Sequence, residues 1–137
     1  MKAILVPVCG NPRTIELSDT DTLKDMQKHV GGCIEPMSWV FDDEPSVYVN
    51  EEGKFTCRPN RAVYADGSDV AWDGTIINEG DLIDIIFGDF ICVGFDPETG
   101  ADRSVTDEEV ERVMERFGSA ESLASGFIEA VRIRNGL

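Results

Sequence analysis

Arg58-Pro59-Asn60-Arg61 is the one basic spot in the acidic middle of this chain. Two guanidinium groups and a carboxamide have the donors to grip a phosphate or a carboxylate. Trp72 and Tyr64 follow closely enough in sequence to add a ring that stacks on a base. Together these residues have the chemistry of a nucleotide-like site. Arginines of this kind also serve as local ion-pair partners of acidic loops, and that ordinary role is the stronger expectation here.

The other reactive side chains form no catalytic pattern. His29 is the single histidine. Cys33 lies near it in sequence, but Gly31-Gly32 intervenes and no third group orients the pair, as a Cys–His nucleophile requires. His29 falls in the last turn of a short helix, where a solvated or C-capping role is expected. The four cysteines, Cys9, Cys33, Cys57 and Cys92, include no pair at C-x-x-C spacing. They are expected as free, buried, small hydrophobes in a reducing compartment. The segment 96–102 resembles a calcium loop, but Gly100 stands at position five and Ala101 at position six, where glycine is required. An acidic loop is the better reading. Carboxylate pairs recur at Asp42-Asp43-Glu44, Glu51-Glu52 and Glu108-Glu109. Nothing in their pattern desolvates one member against the other, as acid–base work needs. Asp84 interrupts an apolar strand and is expected to face solvent by alternation. Phosphate-loop, nucleophile-elbow and zinc-protease motifs are all missing. The expectation is a protein without enzymatic activity, metal or cofactor.

Charge says more than motif does. The 137 residues carry 12 Lys and Arg against 27 Asp and Glu, a net of −15. Residues 38–105 hold four basic and fifteen acidic side chains, a net of −11. Such a surface repels nucleic acid and anionic membranes, which need a basic face. A salt-loving or high-GC host would produce the same bias without functional meaning. No apolar run approaches the roughly 20 residues that span a bilayer. The apolar run at residues 3–8 is too short for the core of a secretion signal. A cytoplasmic protein is expected. Hydrophobic residues at 42% can fill one core.

The elements that must position these groups read as α+β. Residues 2–8 form a strand covered on both faces, and Asn11-Pro12 turns it into a second strand at 14–17. Leu23, Met26 and Val30 line one face of a short helix that Gly31-Gly32 stops. A third strand is expected across 33–41, then a hairpin joining Val47-Tyr48-Val49 to a strand near Phe55. Residues 59–64 read as a helical turn or an irregular segment. Strands follow at 82–87 and 90–95. Thr106 and Glu109 form a capping box for an amphipathic helix with Val110, Val113, Met114 and Phe117 inward. A final helix runs from Ser119 with Leu123, Phe127, Ile128 and Val131 on its apolar face. The arrangement is a mixed β-sheet with a β-grasp-like strand-strand-helix-strand opening and two C-terminal helices. Residues 1–105 form the α+β domain, and 106–137 a helical appendix packed on the same core.

Several segments together are similar to a known family. They include Gly31-Gly32-Cys33-Ile34-Glu35, Asn50-Glu51-Glu52-Gly53-Lys54, Asn60-Arg61-Ala62, Ile85-Ile86-Phe87-Gly88-Asp89 and Ser104-Val105-Thr106-Asp107-Glu108. Their order and spacing resemble domain of unknown function 3846 over most of residues 1–117. Residues 71–81 look like a lengthened loop relative to that pattern, and 118–137 lie beyond it. Members are common in phages, plasmids and integrative elements, so the resemblance implies a mobile-element setting and no particular mechanism. It points to Glu35, Asn60 and Arg61 as the polar positions of any shared site. Gly31, Gly32, Gly53 and Gly88 look like residues set by backbone geometry.

Two functions remain in view. The first is a non-catalytic acidic protein of a phage or mobile element that binds a protein partner, inhibiting a host nucleic-acid-binding or defence protein. The second is a small-molecule, nucleotide-like binder using Arg58, Asn60, Arg61 and Trp72. An accessory domain without a specific ligand stands behind both.

Overall fold

A computed structural model describes residues 1–71 and 73–120. Strand β1 (Lys2–Val6) lies near the middle of the main sheet, paired with β2 (Arg13–Glu16) on one side and β9 (Phe90–Phe95) on the other. The order is β2-β1-β9-β4-β3, with β4 (Ser46–Asn50) and β3 (Ile34–Pro36) completing it, and the short β10 (Asp102–Arg103) pairs with β9. A separate ribbon joins β5 (Pro59–Tyr64) to β8 (Leu82–Phe87), and a minor one joins β6 (Asp69–Val70) to β7 (Ile76–Ile77).

Both faces of the main sheet are covered, which is why β1 and β9 are nearly continuous apolar runs. Helix α1 (Thr22–Val30) packs on one face, where Ala3, Leu5, Ile91 and Val93 meet its Met26 and Val30. Ile4, Val6, Phe90 and Cys92 point the other way, onto Val63 and Ile86 of the β5–β8 ribbon and onto Val113 and Phe117. The last two belong to α3 (Asp107–Phe117). Helix α1 ends at Gly31, whose φ of 80° is the left-handed stop expected there. The α3 capping box is present in full: Glu109 N–H donates to Thr106 Oγ1 at 3.2 Å, and Thr106 N–H donates to Glu109 Oε1 at 2.9 Å. The helix expected from Ser119 onward falls on residues 121–137, outside the described residues.

The α+β class and the helix–sheet order hold, while several details differ. Every pairing among the described residues is antiparallel, so the sheet is not mixed in strand direction. The third strand stops at Pro36, and a 3₁₀ turn, η1 (Ser38–Val40), replaces its second half. The hairpin to Phe55 does not form. Phe55 instead lies in a single helical turn, α2 (Gly53–Thr56), closed by Cys57 N–H donating to Gly53 O at 2.8 Å. Residues 59–64 form neither a helical turn nor an irregular segment but the strand β5. Its hydrophobic positions Ala62 and Val63 pack into the core, and that burial outweighs the turn character of Arg58-Pro59-Asn60. Of the four cysteines only Cys92 is fully buried; Cys9 and Cys33 are exposed and Cys57 is intermediate. Cys9 and Cys33 lie in connecting segments, where flanking apolar residues do not guarantee burial.

Candidate functional site

Asn60 and Arg61 sit side by side on β5, where alternation would send one of them outward. Both are buried, at 1% and 0% exposure. The ladder explains it: Pro59 pairs with Phe87 and Arg61 with the next residue, Ile86, so Asn60 is the extra residue of a β-bulge. Asn60 Nδ2 donates to Val6 O and to Gly88 O, both at 2.9 Å. This ties the ribbon to the end of β1 and to the β8–β9 turn. Arg61 reaches further. Its guanidinium donates to Asn60 Oδ1 and to Gly10 O, both at 2.6 Å, and through Nε to Phe117 O at 3.1 Å. The pair is a polar clasp joining the ribbon, the β1–β2 loop and the end of α3. A phosphate cannot reach either side chain, so the two donors of the nucleotide-like site are structural here.

The other residues of that constellation scatter. Arg58 is exposed, with Nη2 at 3.7 Å from Cys9 Sγ. Tyr64 is exposed, and its carbonyl accepts from Arg116 Nη2 at 2.6 Å. Trp72 lies outside the described residues. Glu35 is exposed at a different place, on the edge strand β3. His29 is half-buried in the last turn of α1, its Nε2 3.9 Å from Asp25 Oδ1. No group of three or more His, Cys, Asp or Glu among the described residues is placed to hold a metal ion.

Glu35 instead belongs to a cleft of about 450 Å³ between β3, η1, α2 and β8. Close backbone contact builds one side of it. A Cβ on Gly53 would stand 2.7 Å from Phe87 O, so only glycine lets α2 lie this near β8. That approach sets Lys54 beside Asp84, with Nζ donating to Oδ1 at 2.9 Å and to Oδ2 at 3.1 Å. Asp84 is therefore a half-buried partner facing the cleft, not a solvent-facing acid. Trp39 and Phe55 also line the cleft, yet are 44% and 73% exposed. Glu35 and Glu51 complete its charge, and neither carboxylate has an ion pair among the described residues. Three acids and one lysine leave the lining at a net −2.

Trp39, Phe55, Lys54 and Glu51 were not singled out as site residues from the sequence. The available signal was weak: an aromatic directly after Asn50-Glu51-Glu52-Gly53-Lys54, and a tryptophan after an irregular Pro36. Assigning both aromatics to strands hid their exposure.

Two further arginines, Arg103 and Arg116, are engaged by groups of the fold. Arg103 donates to the buried Glu109 at 2.8 Å. Burial pushes that carboxyl up, but Arg103 and the Thr106 cap outweigh it and hold Glu109 below the usual carboxylate range. Arg116 donates to Val40 O and lies over the rings of Phe41 and Phe117, 5.5 and 5.9 Å from their centroids. The Tyr48 hydroxyl is pushed up by burial and by its 2.9 Å bond to Asp102. No helix among the described residues is long and apolar enough to cross a membrane.

A family model, Domain of unknown function (DUF3846), matches residues 1–118, and the chain belongs to that family. No curated protein and no solved structure matches it.

Proposed function

We propose that this chain is a non-catalytic acidic interaction protein of a phage or mobile element, acting in the cytoplasm. It docks on the basic surface of a protein partner, in the first place a host nucleic-acid-binding or defence protein. One observation supports this most: the fate of the four cations in residues 38–105. Lys54 is tied to Asp84, Arg61 is buried, and Arg103 is turned onto Glu109. Among the described residues of this stretch, Arg58 is exposed, and Arg103 keeps a 41% exposed side chain while paired to Glu109, against ten exposed Asp and Glu. The outer surface is thus more acidic than composition alone suggests. A dense carboxylate surface attracts basic clefts through the same long-range field that DNA uses. A nucleotide-like ligand has less support, because Asn60 and Arg61 are engaged inside the fold.

The test is capture from host lysate on the immobilised protein, eluted in rising salt and read by mass spectrometry. A stoichiometric nucleic-acid-binding protein released as salt rises is the expected result. Retention unchanged at about 1 M salt, where the screening length falls to about 3 Å, would rule out electrostatic docking.

A further inference from the structure

The geometry points to the cleft beside Lys54 as the seat of an arginine side chain presented by the protein partner. This rests on the docking function proposed above and names its anchor. The volume of about 450 Å³ lies within the roughly 300–1,000 Å³ range of ligand-sized clefts. Trp39 and Phe55 line it, the first half-exposed and the second largely exposed, and covering their apolar surface is favourable. Half-exposed tryptophan at a recess is the type of residue that anchors protein interfaces.

Charge selects the occupant. Lys54 is engaged by Asp84, and its cation is thereby neutralised within the cleft. Glu35 and Glu51 are left without a cation among the described residues. An anionic ligand would meet a net −2 lining, whereas a cation would complete two carboxylates. Aromatic walls with carboxylates suit a flat cation. Guanidinium stacks on indole and forks its donors onto a carboxylate, while a compact, strongly hydrated ammonium does neither as well. Arginine is enriched at interface cores, so a basic partner can supply it.

The probe is an N-acetylated tri-arginine amide, titrated calorimetrically at low salt against the full chain. The Trp39 indole N–H is followed by NMR and assigned through Trp39→Phe. Tri-lysine amide and free arginine are compared. Tri-arginine should shift the Trp39 indole and bind about tenfold more tightly than either comparison ligand. Trp39→Ala and the double variant Glu35→Gln/Glu51→Gln should each weaken it about tenfold. Glu111→Gln/Glu115→Gln removes the same charge from exposed positions of α3 and should change affinity less than about twofold. Equal binding by the cleft variants and wild type, or no tri-arginine binding, would overturn the arginine seat. So would free arginine binding as tightly as the peptide, which would make this a small-molecule site. In each case salt-released capture of a partner would still stand, so failure of the anchor is separable from failure of the docking function.

Discussion

Replacing Arg61 with methionine removes the centre of the polar clasp while keeping the length of its apolar stem. Three short bonds are lost: to Gly10 O and Asn60 Oδ1 at 2.6 Å, and to Phe117 O at 3.1 Å. A buried acceptor left without its donor costs about 1–3 kcal/mol. Three acceptors set a gross loss of roughly 3–9 kcal/mol. Two effects offset part of it. The variant no longer desolvates a guanidinium, a penalty of several kcal/mol, and the freed carbonyls relax towards other donors. The net destabilisation should be about 2–4 kcal/mol. At about 3–5 °C per kcal/mol for a domain of this size, the melting temperature should fall by roughly 6–20 °C. Urea titration followed by circular dichroism measures it, with an unchanged m-value showing that the unfolded state is not the cause. Arg58→Met, at an exposed neighbour, should stay within about 0.5 kcal/mol of wild type. An Arg61→Met protein as stable as wild type would refute the clasp and return Arg61 to the list of ligand-binding candidates.

Thr106→Ala removes the side-chain acceptor of the α3 capping box and should cost about 1 kcal/mol in chemical unfolding. Glu109 titrates below the usual range when folded, so its protonated form is favoured in the unfolded state; the stability it adds is present above the ordinary carboxylate range and lost as pH falls through its lowered pKa. Acid unfolding of Glu109→Gln should therefore show a weaker pH dependence than wild type, measured by the urea midpoint across that window. Cys92 is buried and its thiol pushed up, so native-state alkylation should modify Cys9 and Cys33 quickly and Cys92 only after unfolding; peptide mapping after timed alkylation reads it. Gly53→Ala forces a Cβ to 2.7 Å from the Phe87 carbonyl, so it should cost about 1–3 kcal/mol and perturb Trp39 and Lys54 resonances across the cleft.

The sequence made some of this legible. The N-terminal hairpin, α1 with its Gly31 stop, and α3 with its capping box follow from local pattern: period, cap and glycine lie within a few residues of one another. The failures share a different cause. β5 carries Pro59 and Asn60, which read as turn residues, yet a bulge and long-range burial place them in a strand. Asn60 and Arg61 have the same donors whether they face a phosphate or a main-chain carbonyl, and only tertiary structure decides which. Glu35 was legible as a polar position, but its neighbours were not. Glu51, Lys54 and Asp84 meet there because Gly53 lets α2 approach β8, a contact between residues distant in sequence. The acidity of the middle stretch was plain in composition. That Lys54, Arg61 and Arg103 are each engaged by a partner was not, since the sequence does not identify those partners.

The central claim is that a carboxylate surface carries the binding. The most direct test is the affinity of the purified chain for its captured partner as a function of salt, with duplex DNA as competitor. The account predicts a dissociation constant that rises by at least about tenfold between 50 and 200 mM salt, and displacement of the chain by DNA. An affinity indifferent to salt, or a ternary complex in which DNA and the chain bind the partner together, would contradict it.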